Sequence, residues 1–556
     1  MSDADVLHTL LDEAAAAVPD DRVALTSATG SLTYGELAAA TVTAAHRLRH
    51  EGVRRGDRVV ISTPDPLAAA VAVHAASRTG ALFSVLHEQV RGRPLEHVLT
   101  DCEPAVMVTD DPEAAATAAA HGVRVLAPQG LREPAPNRGE LGDRPLPGDR
   151  ALPGDRALPG DRALPGDGPL PVDGACLIYT SGTTSLPKAV VCTHQQMLFA
   201  ARAIHSALGY RADDVVHSPL PLSFDYGLYQ VFLTFLARAR LHLGSVAEAG
   251  PPLLRSLERS GATVLASVPS VTDRLAWLVR RARRPPRLRL LTNTGAALDP
   301  GTVAALREAI PTLKVQLMYG LTECKRTTIM PPDGDLERPG SSGRALPGTE
   351  VFVVDEDGTR LPPGEVGQFV VRGPHVMAGY WRRPELTAER FPRADGLFPE
   401  LRTGDYGWLD EDGYLYFSGR RDDLYKERGF RVSATEVEAA ARRVAEVADA
   451  AVLTPGARTG GRAVLVAVTP LDPADVLDRM RGFIEEYKIP RRCVPVAALP
   501  TNGNGKVDRR ALADLVDAGT SGRTDAGART RTRTPTRTRT RTEADADDSV
   551  TTDRKG

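Results

Sequence analysis

LIYTSGTTSLPKAV, residues 177–190, carries an apolar strand-like stretch ending at Tyr179 straight into Thr180, Ser181, Gly182, Thr183, Thr184, Ser185, Leu186, Pro187 and Lys188. The glycine frees backbone N–H groups to point into one concavity, the hydroxyls add donors and a single ammonium adds full charge. That is the set of groups a polyphosphate needs. The usual nucleotide P-loop requires a Gly directly before its Lys, where Pro187 stands, so an ordinary P-loop ATPase is not the reading. A Ser/Thr-rich surface turn has the same composition, and the choice depends on the surroundings.

Around this loop the chain alternates helix and strand. Thr33 and Glu36 have capping-box spacing ahead of a helical pattern that Gly52 can end. DRVVIS follows, then a helix over 66–79 stopped near Gly80, and ALFSVL, AVMVT, VRVL, ATVLASV, LRLLT and KVQLM are further short β-rich runs. Strands separated by helices predict an α/β fold with mainly parallel sheets covered by helices. A second compact unit starts near Gly419. It shows capping-box spacing at Ser433 and Glu436, strand candidates DAAVLT, RAVLVAVT and VPVAAL, and a helix near 473–487, which predicts a small α+β domain.

Two segments stand apart. From Gly142 to Pro171 runs GDRPLP, then GDRALP three times, then GDGPLP. Its period is too short for a solenoid, and its Pro, Gly and Asp content defeats helix and central strand, so a disordered surface loop is expected. After residue 519 a basic Arg-Thr tract gives way to acids with almost nothing to bury, which predicts a disordered tail. The expected division is a large domain over 1–418 with the 142–171 loop inserted, a small domain over 419–518 and a tail over 519–556.

At 556 residues the chain needs at least two cores. A formal net charge of -2 gives no broad attraction to nucleic acid or anionic membrane. The five cysteines, Cys102, Cys176, Cys192, Cys324 and Cys493, are scattered without ligand spacing, which fits a reducing cytoplasm better than a disulfide framework or a zinc cluster. The acidic start lacks the layout of a secretory signal, and the Ala-rich run 66–76 is about half of a membrane span, so no transmembrane helix is expected.

The loop at 180–188 resembles the phosphate-binding loop of the adenylate-forming superfamily, which includes acyl-CoA synthetases, nonribosomal-peptide adenylation domains and luciferases. Ser185 and Ala189 stand where that family usually has Gly. Further motifs follow in the family's order: TNTGAAL after LRLLT, YGLTE closing KVQLM, the stretch 400–438 from ELRTGDYG to SATEVE, and PTNGNGKVDRRAL at 500–512. Two of them lie just past a strand's C-terminus, where open α/β sheets bind ligands.

The resemblance implies a mechanism and residues for it. Thr180, Ser181, Gly182, Thr183, Thr184 and Lys188 would hold the phosphates of ATP. Gly295, Ala296 and Ala297 would wall the adenine, and Tyr319, ahead of Gly320, would stack on it. On its own residues Tyr319 also reads as an aromatic closing the core beneath a glycine turn. Thr322 would bond the α-phosphate and Glu323 would hold Mg²⁺, a hard cation that prefers carboxylate and phosphate oxygens. Asp405, with Arg420 nearby, would accept the ribose hydroxyls. Asp422 falls at the hinge between the domains, and Lys506 would bridge the substrate carboxylate and the α-phosphate. A carboxylate attacking a phosphate brings two anions together, so catalysis must come chiefly from Lys188, Lys506 and the metal. The acyl-adenylate would then meet a thiol, of coenzyme A or of a carrier-protein phosphopantetheine, along Gly429, Phe430, Arg431 and Val432 with Phe224 as gate.

PLPLSFDYGLYQ, residues 219–230, lies where the family builds its acyl pocket. Asp225 would pair with a substrate α-ammonium, which favours an amino acid or another small polar acid, with Tyr226 and Tyr229 shaping the pocket. A fatty or aryl acid is the alternative. No D-S-L type carrier motif follows Lys506, so a carrier, if used, is expected to be a separate protein. A non-catalytic adenylate- or nucleic-acid-binding protein acting through the Arg-Thr tail is the reading from another class. Lys188, Glu323, Asp405 and Lys506 together argue against it, because binding alone needs no lysine between carboxylate and phosphate.

The repeat and the tail are expected to be dispensable. Deleting Gly148 to Pro165, or truncating after Gly519, should leave ATP–pyrophosphate exchange within about three-fold of the parent, since neither segment can bury a core. A collapse of soluble yield or exchange would contradict this.

Overall fold

The structure, a computed structural model, describes residues 5–131, 168–180, 187–245, 247–394, 398–420, 424–427, 430–459, 461–501 and 507–524. Most of the repeat, most of the phosphate loop, Asp422, Gly429 and Lys506 lie outside them.

Two large sheets carry the first part of the chain. A seven-stranded sheet has Arg58–Ser62 between Leu82–Val85 and Val106–Thr109, all parallel; Gly174–Thr180 joins Leu82–Val85 in parallel, and Lys188–Thr193 and Gly379–Tyr380 follow as successive antiparallel pairings at that edge. A thirteen-stranded sheet contains the parallel run Arg240–Leu243, Val215–Ser218, Val264–Ser267, Leu290–Asn293 and Lys314–Tyr319. The same sheet continues beyond Tyr319 as an antiparallel extension through Ser341–Ala345, Tyr414–Arg420 and Leu401–Leu409, which strand-helix alternation does not foretell.

The helices form where local chemistry asks for them. Thr33 and Glu36 make the reciprocal capping box at the start of Tyr34–His50. Asp65 caps Pro66–Thr79 through Leu67 N–H, Pro66 occupies the first turn, and Gly80 ends the helix in the left-handed region at φ 75°. Every residue of that helix from Leu67 to Thr79 is buried, so the Ala-rich run is a core helix. Among the described residues no helix is long and apolar enough to cross a membrane. The first helix, Thr9–Ala16, is tied to this one by a buried ion pair of Arg78 with Asp12, and Arg78 Nε also donates to Thr41 Oγ1 at 3.0 Å.

A separate core forms around Asp449–Leu453, Val464–Val468 and Arg492–Val496. Strand alternation divides it. Ala450, Val452, Leu465 and Ala467 face Ala434–Arg442 and Pro473–Met480, while Ala451, Leu453, Val464 and Val466 face Arg509–Thr524. Three expectations change here. The helix expected to reach residue 487 stops at Met480, and the chain turns through Gly482 into a short 3₁₀ turn at Glu486–Lys488. Ser433 caps its helix through Glu436 N–H, but Lys488 takes the Glu436 carboxylate at 2.6 Å, so the box is not reciprocal. The last helix runs to Thr524, past the expected start of the tail at 519, because Leu512 and Val516 anchor it on the sheet and propagation beyond an anchored turn is favourable.

Several histidines lie inside this fold. Burial pushes the His74 and His194 rings down to about 4 from an ordinary 6.5. Between those values the unfolded chain binds more protons than the folded one, so stability is present above pH 6.5 and drains as pH falls towards 4. Each fully titrating ring contributes about 1.4 kcal/mol per pH unit. Urea midpoints should therefore drop steadily from pH 7 to pH 5, and a flat profile would contradict the buried neutral rings.

Candidate active site

The phosphate loop joins two paired strands. Thr180 lies opposite Lys188 in the ladder, and Thr180 Oγ1 reaches Lys188 O at 3.4 Å, so described structure flanks Ser181 to Leu186 on both sides. Lys188 is half-buried with its Nζ 3.8 Å from the centroid of the Tyr380 ring. Burial lowers its pKa, and the nearby Glu323 carboxylate acts the other way.

The second component is the turn after Lys314–Tyr319. Gly320 leaves no room for a side chain, since a Cβ there would sit 1.8 Å from Lys325 O. Tyr319 is buried, with its ring between Phe369 and Phe417 and its hydroxyl donating to Asp405 Oδ2 at 2.8 Å. It belongs to a small core cluster with Val353, Phe369 and Leu415 beneath the glycine turn. Asp405 stands opposite Arg420 in the adjoining ladder and accepts from Arg420 Nε at 3.1 Å. Burial raises the Asp405 pKa, against the pull of Arg420 and of the tyrosine hydroxyl. Thr322 is partly exposed at the turn, and Glu323 Oε1 accepts from Tyr380 Oη at 2.7 Å.

Glu323 is the donor to test against Mg²⁺. Among the described residues no three His, Cys, Asp or Glu side chains converge as a metal cage. A single carboxylate with oxygens to spare fits Mg²⁺, which is usually held by one or two carboxylates together with substrate phosphates. Gly295, at φ 96°, and Ala296 and Ala297 lie exposed after Leu290–Asn293, at the same edge of the sheet as the Gly320 turn.

The acyl-pocket segment forms the start of the buried helix Asp225–Ala237, with partly buried Phe224 at its N-cap. Tyr226 and Tyr229 are fully buried. Tyr226 Oη donates to Thr292 O at 2.8 Å, so this ring braces the adjacent strand. Asp225 is not solitary, because Arg326 Nη1 donates to its Oδ2 at 3.3 Å. Arg326 also lies over Tyr226, 4.4 Å from its centroid. Sequence reasoning missed Arg326 and Lys325. Both are nearly fully buried, at 2% and 1% exposed, and Lys325 holds φ 58°, a left-handed conformation rare outside glycine. Among the described residues Arg326 Nε and Arg326 Nη2 have no hydrogen-bond partner, and Lys325 Nζ lies 5.4 Å from the Tyr229 ring with the Cys192 thiol beside it and no carboxylate on it. No local signal marks them, since TECKRTTIM reads equally well as a polar turn into a two-residue strand, Thr328–Ile329.

In the small domain Phe430–Ser433 pairs with Leu424–Glu427. Val432, expected on the thiol path, is instead fully buried in that domain's core, because alternation turns it inward against Val437 and Ala441. Lys506 lies between Thr501 and Val507, which bridge each other as an antiparallel pair.

The family described as AMP-binding enzyme matches residues 11–381, and its C-terminal domain matches residues 436–506. The 2-succinylbenzoate–CoA ligase of Bacillus licheniformis is 28% identical over 498 residues, covering 88% of this chain and 96% of that protein. Syringomycin synthase SyrB1 of Pseudomonas syringae pv. syringae is 28% identical over 529 residues, 91% of this chain and 81% of that protein. Among solved structures, VinN in complex with L-aspartate is 38% identical with a TM-score of 0.63, covering 75% of this chain and 100% of that one. The O-succinylbenzoate coenzyme A synthetase of Bacillus subtilis in complex with ATP and magnesium ion is 26% identical with a TM-score of 0.76, covering 90% and 98%. The chain belongs to the AMP-binding enzyme family and is an ATP-dependent, AMP-forming acid–thiol ligase, which with Mg²⁺ adenylates a carboxylic acid and passes the acyl group to the thiol of coenzyme A or a carrier-protein phosphopantetheine.

Proposed function

We propose that the acid is an acidic amino acid of the aspartate type, with its ammonium on Asp225 and its non-reacting carboxylate on Arg326 and Lys325. The observation that carries this is the charge balance of the buried pocket. Two buried cations stand here with one carboxylate, Asp225, which pairs with Arg326 alone; among the described residues two guanidinium nitrogens have no hydrogen-bond partner, and the Lys325 ammonium meets a ring and a thiol but no anion. Unpaired buried charge is costly, and an incoming carboxylate would satisfy it. Asp225, with one oxygen engaged by Arg326, keeps lone pairs for an ammonium. The likeness to VinN, solved with L-aspartate, supports the same reading.

In this account Lys188 and the 180–184 loop hold the polyphosphate, Thr322 the α-phosphate and Asp405, braced by Tyr319 and Arg420, the ribose. Gly295 to Ala297 wall the adenine. Glu323 would hold Mg²⁺, whose charge offsets that of the phosphates. Lys506 brings the reacting carboxylate to the α-phosphate. The small domain, turning about Asp422, then takes Lys506 away and presents Gly429 to Arg431 to the thiol, with Phe224 as gate. Free cysteines, buried at all five positions, suit a cytoplasmic enzyme.

Pyrophosphate exchange over a matched series tests the acid. L-Aspartate should exceed succinate, which lacks the ammonium, and alanine and β-alanine, which lack the second carboxylate. Asp225→Asn should lower kcat/KM for aspartate by a factor of hundreds or more, the equivalent of about 3–5 kcal/mol for a broken buried pair, and erase the preference over succinate. Lys325→Met should erase the preference over β-alanine while leaving the fold intact. An uncharged aryl acid outpacing aspartate in the parent would end this reading.

A separate prediction concerns Lys506, whose charge matters while carboxylate and phosphate meet. Lys506→Ala should nearly abolish exchange yet leave thiol transfer from supplied acyl-adenylate largely intact. Equal loss of both half-reactions would contradict the division of labour.

A further inference from the structure

Tyr380 lies outside every motif that pointed to the site, yet it touches two of the site's charged groups at once. Its strand, Gly379–Tyr380, pairs antiparallel with Lys188–Thr193, and Tyr380 stands opposite Val190. Lys188 is therefore a diagonal neighbour on the same face of the ladder. The Lys188 ammonium sits over the ring at 3.8 Å from its centroid, and the ring's hydroxyl donates to Glu323 Oε1 at 2.7 Å. A second tie runs through the backbone, where Met377 N donates to Glu323 O at 2.9 Å.

The ring is held firmly. It is nearly fully buried, and Phe391 meets it edge-on at 5.5 Å between centroids. Its backbone N donates to Thr387 Oγ1 at 3.0 Å. At Gly379, φ 133°, a Cβ would lie 2.4 Å from Thr387 Cγ2, so the helix Pro384–Arg390 packs directly on this strand.

The physical problem solved here is one of premature pairing. Lys188 and Glu323 carry opposite charges close enough to influence each other, and in a half-buried site such groups favour direct contact. A direct pair would occupy the ammonium meant for phosphate and the carboxylate meant for a metal. An aromatic ring between them offers the cation a π face and the anion a hydroxyl donor, and both partners are weaker than the charges they would yield to.

We propose that Tyr380 is a positioning residue for adenylation: its ring holds the Lys188 ammonium and its hydroxyl orients the Glu323 carboxylate, keeping the two apart until MgATP takes both. This rests on the assignment of Lys188 to phosphate and Glu323 to Mg²⁺, and is independent of which acid is activated.

The test is calorimetric ATP binding by the full-length protein, with and without Mg²⁺ and with no acid present. Tyr380→Phe keeps the ring and removes the hydroxyl. Its metal-free ATP affinity should stay within about two-fold of the parent, while the gain in affinity on adding Mg²⁺ shrinks several-fold. Tyr380→Leu removes both contacts and should lose metal-free ATP affinity on the order of ten-fold, because Lys188 closes onto Glu323. Adding Glu323→Gln to Tyr380→Leu should restore metal-free affinity to near that of Glu323→Gln alone, a rescue that a purely structural tyrosine would not allow. Parent-like binding by both Tyr380 variants, or an undiminished Tyr380→Leu loss in the Glu323→Gln background, would overturn the positioning role. If Glu323→Gln alone leaves the Mg²⁺ dependence unchanged, the metal assignment fails and the proposal with it, an outcome distinguishable from failure confined to Tyr380.

Discussion

The turn at Gly320 admits no side chain, and the site depends on that constraint. With Lys325 O pressed against the glycine, the chain doubles back within a few residues and sends its side chains in three directions. Tyr319 goes to Asp405, Glu323 to Tyr380, and Arg326 to Asp225 with Lys325 beside the Tyr229 ring. A larger residue at 320 would have to separate the two arms of the turn, and all three connections would shift together. The left-handed Lys325 belongs to the same geometry. Its strained backbone persists because the surrounding packing fixes it, as is common where function needs a particular direction of side chain.

Electrostatics gives the turn its purpose. The reaction must bring a carboxylate to a triphosphate, and the protein meets those anions with cations built into separate walls. Lys188 stands over a π face, Arg420 lies on the Asp405 carboxylate, and Lys325 and Arg326 are buried beside the helix that starts at Asp225. Each is held in place by an aromatic ring or by the β-ladder that carries it. Charges held in place before the substrates arrive need little reorganisation when they act, which is where electrostatic catalysis gains most.

Much of this is legible in the sequence. Capping residues and glycine stops locate the helices Tyr34–His50 and Pro66–Thr79, because those signals are local and the structure satisfies them locally. Motifs just past strand ends locate Gly295, Tyr319 and Glu323 at one edge of the sheet for the same reason. What escapes is long-range. The antiparallel extension of the large sheet pairs strands distant in sequence, which periodicity cannot see. The motif around Tyr319 carries no sign of its bond to Asp405, 86 positions away. Lys325 and Arg326 look like surface charges because a run of letters carries no burial. Val432 is buried because alternation, readable in principle, points it into the small domain's core.

The central claim is that the buried cations beside Asp225 exist to receive the free carboxylate of an amino acid. A crystal structure of the protein with aspartyl sulfamoyladenosine, a non-hydrolysable mimic of the acyl-adenylate, tests it most directly. The account predicts the ligand's ammonium within hydrogen-bonding distance of an Asp225 oxygen and its free carboxylate on Arg326 and Lys325. A ligand whose carboxylate points to solvent, with the Arg326–Asp225 pair turned away and Lys325 still without an anionic partner, would contradict it.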